Sequence, residues 1–275
     1  MTYADLAPWA DRAGRFSPLR MAAFLGALAP GAYALWAFAG DRLGPEPEKA
    51  ATHLTGEWTL YLLLATLAIA PLRRVPGWGR LAQLRRMLGL AAFGYVAAHF
   101  LLFVLDLDGA LLKVATEVAS RVYLTIGFVA LVGLAALAAT SFDRAIRRLG
   151  RNWRRLHALV YPLTALGLLH YFMQTKSDVA APALLAGIFC GLMALRLPAL
   201  RREPLAWAFL GAAVVAGLAA AGLEALWHAG VTGVPAGLVL AADLDFSSEI
   251  RPPWIAAAIV ALPALPSLVM RRLRA

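Results

Sequence analysis

The chain has 275 residues and a formal net charge of +10; 61% of its residues are hydrophobic, 15% are charged, and its mean hydropathy is +0.69. Soluble domains average about 45–50% apolar and about 25% charged residues, so composition excludes a water-soluble globule, and the same apolar richness excludes intrinsic disorder. A single cysteine, Cys190, excludes a disulfide framework, and no Cys/His zinc spacing is present.

In chain order, residues 1–17 come first. They carry Asp5, Asp11, Arg12 and Arg15 without an apolar run, and read as a cytoplasmic segment rather than a cleavable signal peptide. Eight stretches then supply the roughly 20 apolar residues that a membrane-spanning helix needs: about 18–39, 54–72, 84–105, 119–140, 155–174, 180–197, 205–227 and 254–270. The second holds Glu57, the third His99, the fifth His157 and His170 with Pro162 between them, and the sixth Cys190. The seventh ends at Glu224 and His228, and a Gly-, Asp- and Pro-rich loop over about 228–253 leads to the eighth. No nucleotide-binding glycine motif accompanies them.

With the N-terminus cytoplasmic and sides alternating, 20 of the 26 basic residues fall on the cytoplasmic side. Arg42, Lys49, Lys113, Arg121, Lys176 and Arg251 fall opposite, and the acidic residues divide 4 to 12 the other way. The excess of Lys and Arg on one side at every loop predicts eight spans with both termini cytoplasmic. The basic charge is then topological, with anionic lipid headgroups as its partner, and nucleic acid is excluded.

Ionisable residues inside spans are costly, so each is a functional candidate. His99 lies about six residues from the outer end of its span and His170 about four from the outer end of its own. At 1.5 Å per residue the two share one depth within ~3–5 Å. Both spans run outward, so the two imidazoles reach one layer and suit the axial positions of a haem. His157 lies thirteen residues before His170, ~20 Å toward the cytoplasm and about 140° around a straight helix, with Pro162 placed to kink it. It predicts a second, inner layer. Arg85, fourteen residues before His99 and about 40° off its stripe, suits a haem propionate or a flavin phosphate; Met87 is an alternative ligand at that depth. His53 and His228 read as interface residues, and Glu57 as a hydrogen-bonded one. Trp36, Trp58, Trp207, Trp227 and Trp254 read as interfacial anchors, and Cys190 as packing.

Several segments carry a resemblance. They are Thr52–His53–Leu54–Thr55–Gly56–Glu57–Trp58 followed by Pro71–Leu72–Arg73–Arg74, then Arg85–Arg86–Met87–Leu88–Gly89–Leu90 leading to His99, and Thr140–Ser141–Phe142–Asp143–Arg144. The most specific is Leu149–Gly150–Arg151–Asn152–Trp153–Arg154–Arg155–Leu156–His157–Ala158–Leu159–Val160–Tyr161, ending at His170–Tyr171. Over about residues 18–175 the chain resembles the MsrQ (YedZ) membrane cytochromes of the ferric-reductase-like transmembrane superfamily. The resemblance implies a haem-binding core over 18–200, with 201–275 as an extension of two further spans that the family's usual six lack. It implies b-type haem, one or two per chain, FMN, and His99, His157 and His170 as haem histidines with Arg85 at the inner site. It also implies a place in the bacterial inner membrane and a periplasmic molybdopterin-containing partner that reduces methionine sulfoxide. Electrons would come from a cytoplasmic flavin reductase or the quinol pool. A basic rim of Arg73, Arg74, Arg85, Arg147 and Arg148 would take FMN; a quinone is the other inner-site candidate.

The expectation is therefore an all-α integral membrane bundle of about eight spans acting as an electron-transfer subunit rather than a complete enzyme. Its rivals are a stand-alone metal-reducing cytochrome and a cofactor-free transporter. The paired half-helices that a transporter would favour are not apparent.

Overall fold

The computed structural model describes residues 7–10, 13–247 and 249–266. Asp5, Asp11 and Arg12 of the first segment, residues 267–270 of the last predicted span, and Arg271, Arg272 and Arg274 lie outside the described residues. Among the described residues there is no strand, only an isolated bridge between Ala10 and Phe16. The helices are α1 (Pro18–Ala39), α2 (Pro47–Leu72), a 3-10 segment (Trp78–Leu84), α3 (Arg85–Asp106), α4 (Leu111–Ser120), α5 (Val122–Ala139), α6 (Asp143–Leu149) and α7 (Arg151–His157). There follow α8 (Val160–Thr175), α9 (Ala180–Ala194), α10 (Pro198–Arg202), α11 (Leu205–Trp227), a π turn (His228–Thr232), α12 (Ala236–Ala242) and α13 (Pro252–Ala261).

Among the described residues, six helical segments are long and apolar enough to cross a bilayer: α1, α2, the 3-10 segment with α3, α5, α7 through α8, and α11 with the π turn. Ala180–Ala194 and Pro252–Pro266 are shorter apolar helices. The chain is an all-α multi-pass membrane protein, and each predicted apolar stretch lies on a helix. The sixth comes out shorter than predicted, and a turn at 262–263 interrupts the eighth. A turn at 195–197 followed by Pro198 ends α9, and the ring of Pro263 is incompatible with the carbonyl four residues before it, which stops α13. The same rule places a two-residue turn at 158–159, four residues ahead of Pro162, within the fifth span, so that α7 and α8 are distinct helices of one crossing segment. The sequence reading did not include α4, which buries Val114 and exposes Leu111 and Leu112.

The chain forms two compact units, residues 1–66 with 83–167 and residues 67–82 with 168–275. In the first, Ser17 caps α1 by accepting the Arg20 N–H, with Pro18 as the first helical residue. Pro30 interrupts α1, and the opened ladder is filled from α3. The Tyr95 hydroxyl accepts the Gly31 N–H at 2.7 Å and donates to the Ala27 carbonyl at 2.8 Å. That is side-chain insertion at a proline kink. Phe100 of α3 meets Phe128 of α5 with ring centroids 5.7 Å apart. Gly150 joins α6 to α7 at φ 51°, ψ −118°, a conformation essentially restricted to glycine.

In the second unit α9, α11 and α13 pack on one another. Gly187 and Gly191 face Ala212, Ala216 and Ala220. A Cβ at Gly187 would lie 2.6 Å from the Ala216 carbonyl oxygen, and one at Gly191 2.9 Å from the Ala216 Cβ. Small residues at this spacing let helix backbones approach in lipid. Arg196 donates to the carbonyl of Leu192 in the last turn of α9 and to that of Leu67 at 2.8 Å, which has no helical partner because Pro71, four residues on, lacks an N–H.

Replacing Tyr95 by Phe removes both bonds at the Pro30 kink and leaves a donor and an acceptor without that hydroxyl. The expected loss is about 1–3 kcal/mol, read as a lower thermal midpoint in detergent. An unchanged midpoint would show that the kink stands without the hydroxyl.

Candidate cofactor site

The helix that carries His99 is apolar, and its ring is oriented by a backbone group of the neighbouring helix. His99 Nδ1 lies 2.8 Å from the Thr52 carbonyl oxygen of α2. A carbonyl only accepts, so Nδ1 carries the hydrogen and Nε2 the lone pair. This is the tautomer that metal-ligating histidines adopt, with the outer nitrogen anchored to a carbonyl or carboxylate. One turn beyond Thr52, Gly56 presents bare backbone to the same ring. A Cβ there would lie 3.0 Å from His99 Nδ1 and 3.1 Å from its Cε1. The donor chemistry at His99 thus fits an iron porphyrin. Among the described residues no group of three or more His, Cys, Asp or Glu side chains is placed to hold a bare metal ion.

His157 ends α7 and is held differently. Its Nε2 lies 3.1 Å from Thr140 Oγ1, and that hydroxyl donates to the Ala136 carbonyl at 2.8 Å. The ring stacks on Trp153 with centroids 4.0 Å apart, and the Trp153 indole N–H donates to the Thr140 carbonyl at 2.9 Å. Trp153 and His157 are one turn apart, so Thr140, at the end of α5, receives both. Arg85 is exposed at the start of α3, close enough for its charge to act on the His157 ring. Arg86 beside it pairs with Asp143 at 2.8 Å, tying the start of α3 to the start of α6.

The first unit thus contains His99, His157 and Arg85, the last two as electrostatic neighbours. His170 is half-buried in the second unit, on the part of α8 that also carries the buried Tyr171 and Phe172. Met87 is half-buried on α3, and His53 is exposed. His228 Nδ1 lies 3.1 Å from Thr232 Oγ1 within the π turn. The indoles of Trp227 and Trp254 donate to the carbonyls of Lys176 and Asp243, each at 2.7 Å. Of the basic rim, Arg85, Arg147 and Arg148 are exposed in the first unit, while Arg73 and Arg74 belong to the second, where Arg74 donates to the Arg201 carbonyl.

Sequence reasoning missed Thr52, Gly56, Thr140 and Trp153 as supports of the histidines. Gly56 did leave a signal, because an isolated glycine inside an apolar helix usually has a packing reason. It also missed the partners of Glu224. This carboxylate is 2% exposed and pairs with Arg251 at 2.7 Å; Asp243, also buried, lies 3.6 Å from the same guanidinium. Burial pushes the Asp243 carboxyl above its ordinary value, and Arg251 pulls it partly back.

With this geometry in hand, likeness to known proteins defines the class. Residues 55–168 match the family model described as ferric reductase like transmembrane component. The chain is 45% identical over 177 residues to the protein-methionine-sulfoxide reductase heme-binding subunit MsrQ of Xanthomonas campestris pv. campestris (strain 8004), covering 62% of this chain and 81% of that one. It is 42% identical over 196 residues to the subunit of the same name from Rhodospirillum rubrum, covering 70% and 92%. No solved structure matches. The chain belongs to the MsrQ family.

The raised Asp243 carboxyl sets the sign of a pH effect. On acidification the folded state takes up this proton before the unfolded chain does. Folding stability therefore rises as pH falls through the raised value and levels off below the ordinary one. In Asp243→Asn its contribution is expected to be lost, so that the slope in detergent unfolding curves taken across the acidic range becomes shallower; an unchanged slope would assign it to other groups.

Proposed function

We propose that the chain is a transmembrane electron-transfer cytochrome. It carries electrons from a cytoplasmic-side donor, a quinol or a flavin reductase, by way of b-type haem to a periplasmic molybdenum-dependent methionine sulfoxide reductase subunit. The observation that carries this reading is the His99 ring, fixed by the Thr52 carbonyl in the tautomer whose Nε2 bears the lone pair. The name of its relatives, heme-binding subunit of a protein-methionine-sulfoxide reductase, supports it. So does the matched depth of His99 and His170 in the sequence. These two residues are proposed to hold a b-type haem in the outer layer. A bound b-type haem supplies reversible one-electron exchange.

The chain's own residues do the rest. Thr52 holds the His99 proton at Nδ1. Thr140 and Trp153 hold the His157 ring beside an inner layer, where Arg85 offers a guanidinium fork to an anionic group such as a propionate or the phosphate of FMN. A quinone is the alternative occupant of that layer. Exposed Arg147 and Arg148 add positive charge in the same unit. Core residues 18–200 carry these groups and residues 201–275 extend them. The proposed setting is the bacterial inner membrane, with eight crossings, both termini cytoplasmic, and anionic lipid against the basic face.

Absorption spectra of the detergent-purified protein, oxidised and reduced, are expected to show b-type haem, and His99→Ala and His170→Ala each to remove the same signal. A colourless preparation from haem-replete cells would overturn the cytochrome reading and favour a cofactor-free transporter. Full haem content in either variant would overturn the ligand pair. The match to a ferric reductase like component also supports a second reading, a stand-alone metal reductase. Reduction of ferric chelates by the purified protein with no periplasmic protein present would favour it.

A further inference from the structure

We propose that the α2 backbone at Thr52 and Gly56 positions the His99 imidazole and sets how strongly it donates to the iron. This rests on the reading of His99 as a haem ligand. Two independent features of α2 converge on one ring. The Thr52 carbonyl takes the Nδ1 hydrogen at 2.8 Å, and Gly56, four residues on, leaves room for the ring to lie against the helix. Mid-helix glycine costs roughly 0.5–1 kcal/mol relative to alanine, so helix stability does not account for it. Room does. An alanine Cβ at 3.0–3.1 Å from two ring atoms forces the ring outward by a few tenths of an ångström, which lengthens the bond to Thr52.

The chemistry follows from the bond. A carbonyl accepting from Nδ1–H raises the basicity of the other nitrogen and fixes the ring plane. A more basic imidazole favours ferric over ferrous iron. Gly56 and Thr52 are therefore positioning residues. They touch no iron and act through His99.

The test compares Gly56→Ala with Gly26→Ala. Gly26 is an exposed α1 glycine in the same unit, and a Cβ there meets nothing within 4 Å. Both substitutions raise helix propensity, so a loss confined to Gly56→Ala is not a helix effect. In the full-length protein, Gly56→Ala is expected to retain haem but to bind it ~10-fold more weakly, as outer-shell changes do. Its midpoint potential shifts upward and its low-spin electron paramagnetic resonance signal moves, while Gly26→Ala matches the parent in all three. Parent-like affinity, potential and resonance in Gly56→Ala, with His99→Ala free of haem, would overturn the positioning role alone. Full haem retention by His99→Ala would instead overturn the ligand reading beneath it. If Gly56→Ala gives no folded protein, proton ENDOR of the unmodified protein in H2O and D2O decides. An exchangeable, strongly hydrogen-bonded Nδ1 proton supports the proposal, and its absence overturns it.

Discussion

A polar group inside hydrocarbon has no water to fall back on, and an unmet donor or acceptor there costs several kcal/mol. Side chains in this chain repeatedly meet that constraint by bonding backbone carbonyls. Thr55, Thr59, Thr66 and Thr164 donate to carbonyls four residues back on their own helices. Tyr95 bridges the gap that Pro30 opens, Arg196 covers the Leu192 carbonyl and the Leu67 carbonyl that Pro71 leaves without a donor, and the Trp153, Trp227 and Trp254 indoles each take a carbonyl. The His99 contact belongs to the same class. A requirement imposed by the solvent makes the helix backbone the main acceptor, and at His99 that acceptor also dictates which ring nitrogen is protonated.

The constraint separates what was legible in the sequence from what was not. Apolar run length is a local property, and α1 and α11 begin and end where their runs do. Pro162 was legible as a disruption because its effect reaches only four residues back. The Thr52 carbonyl was not, because a backbone oxygen has no letter of its own and lies 47 residues from His99. Arg251 was not legible as the partner of Glu224 for a related reason. It sits 27 residues on, beyond a π turn and α12, and pattern alone does not say which of the outer charges folds back. Helix α4 escaped because its apolar residues are too few to register as a span, although one face of it is buried.

His99 and His157 show how far residue identity goes. Both are histidines in apolar spans and both were candidates on that ground. Their neighbours separate them. A carbonyl accepts from His99 at Nδ1, whereas His157 Nε2 meets a threonine hydroxyl, a group that can donate or accept. The carbonyl fixes the tautomer of His99, while the hydroxyl accommodates either tautomer of His157. The stacking of Trp153 adds a planar contact that restrains rotation of the His157 ring. The two sites are therefore not interchangeable copies, and the proposed roles, one ligand to an outer haem and one residue bordering an inner group, follow that difference.

The second unit meets the same constraint with another device. Gly187 and Gly191 against Ala212, Ala216 and Ala220 give close approach, but small residues every fourth position define register poorly, since sliding α11 by four residues largely presents the same surface again. Lipid supplies no hydrophobic force to choose between such registers. Arg251 supplies a choice. It reaches Glu224 near the end of α11 and stands beside Asp243 after α12, so a slip that parts it from Glu224 strands a buried charge. Removing one partner of a buried ion pair typically costs about 3–5 kcal/mol, whereas the intact pair contributes little net stability over an apolar replacement. The value of the cluster therefore lies in the arrangements it forbids. It is placed at the one part of the packing where size and hydrophobicity leave the alignment of α11 undetermined.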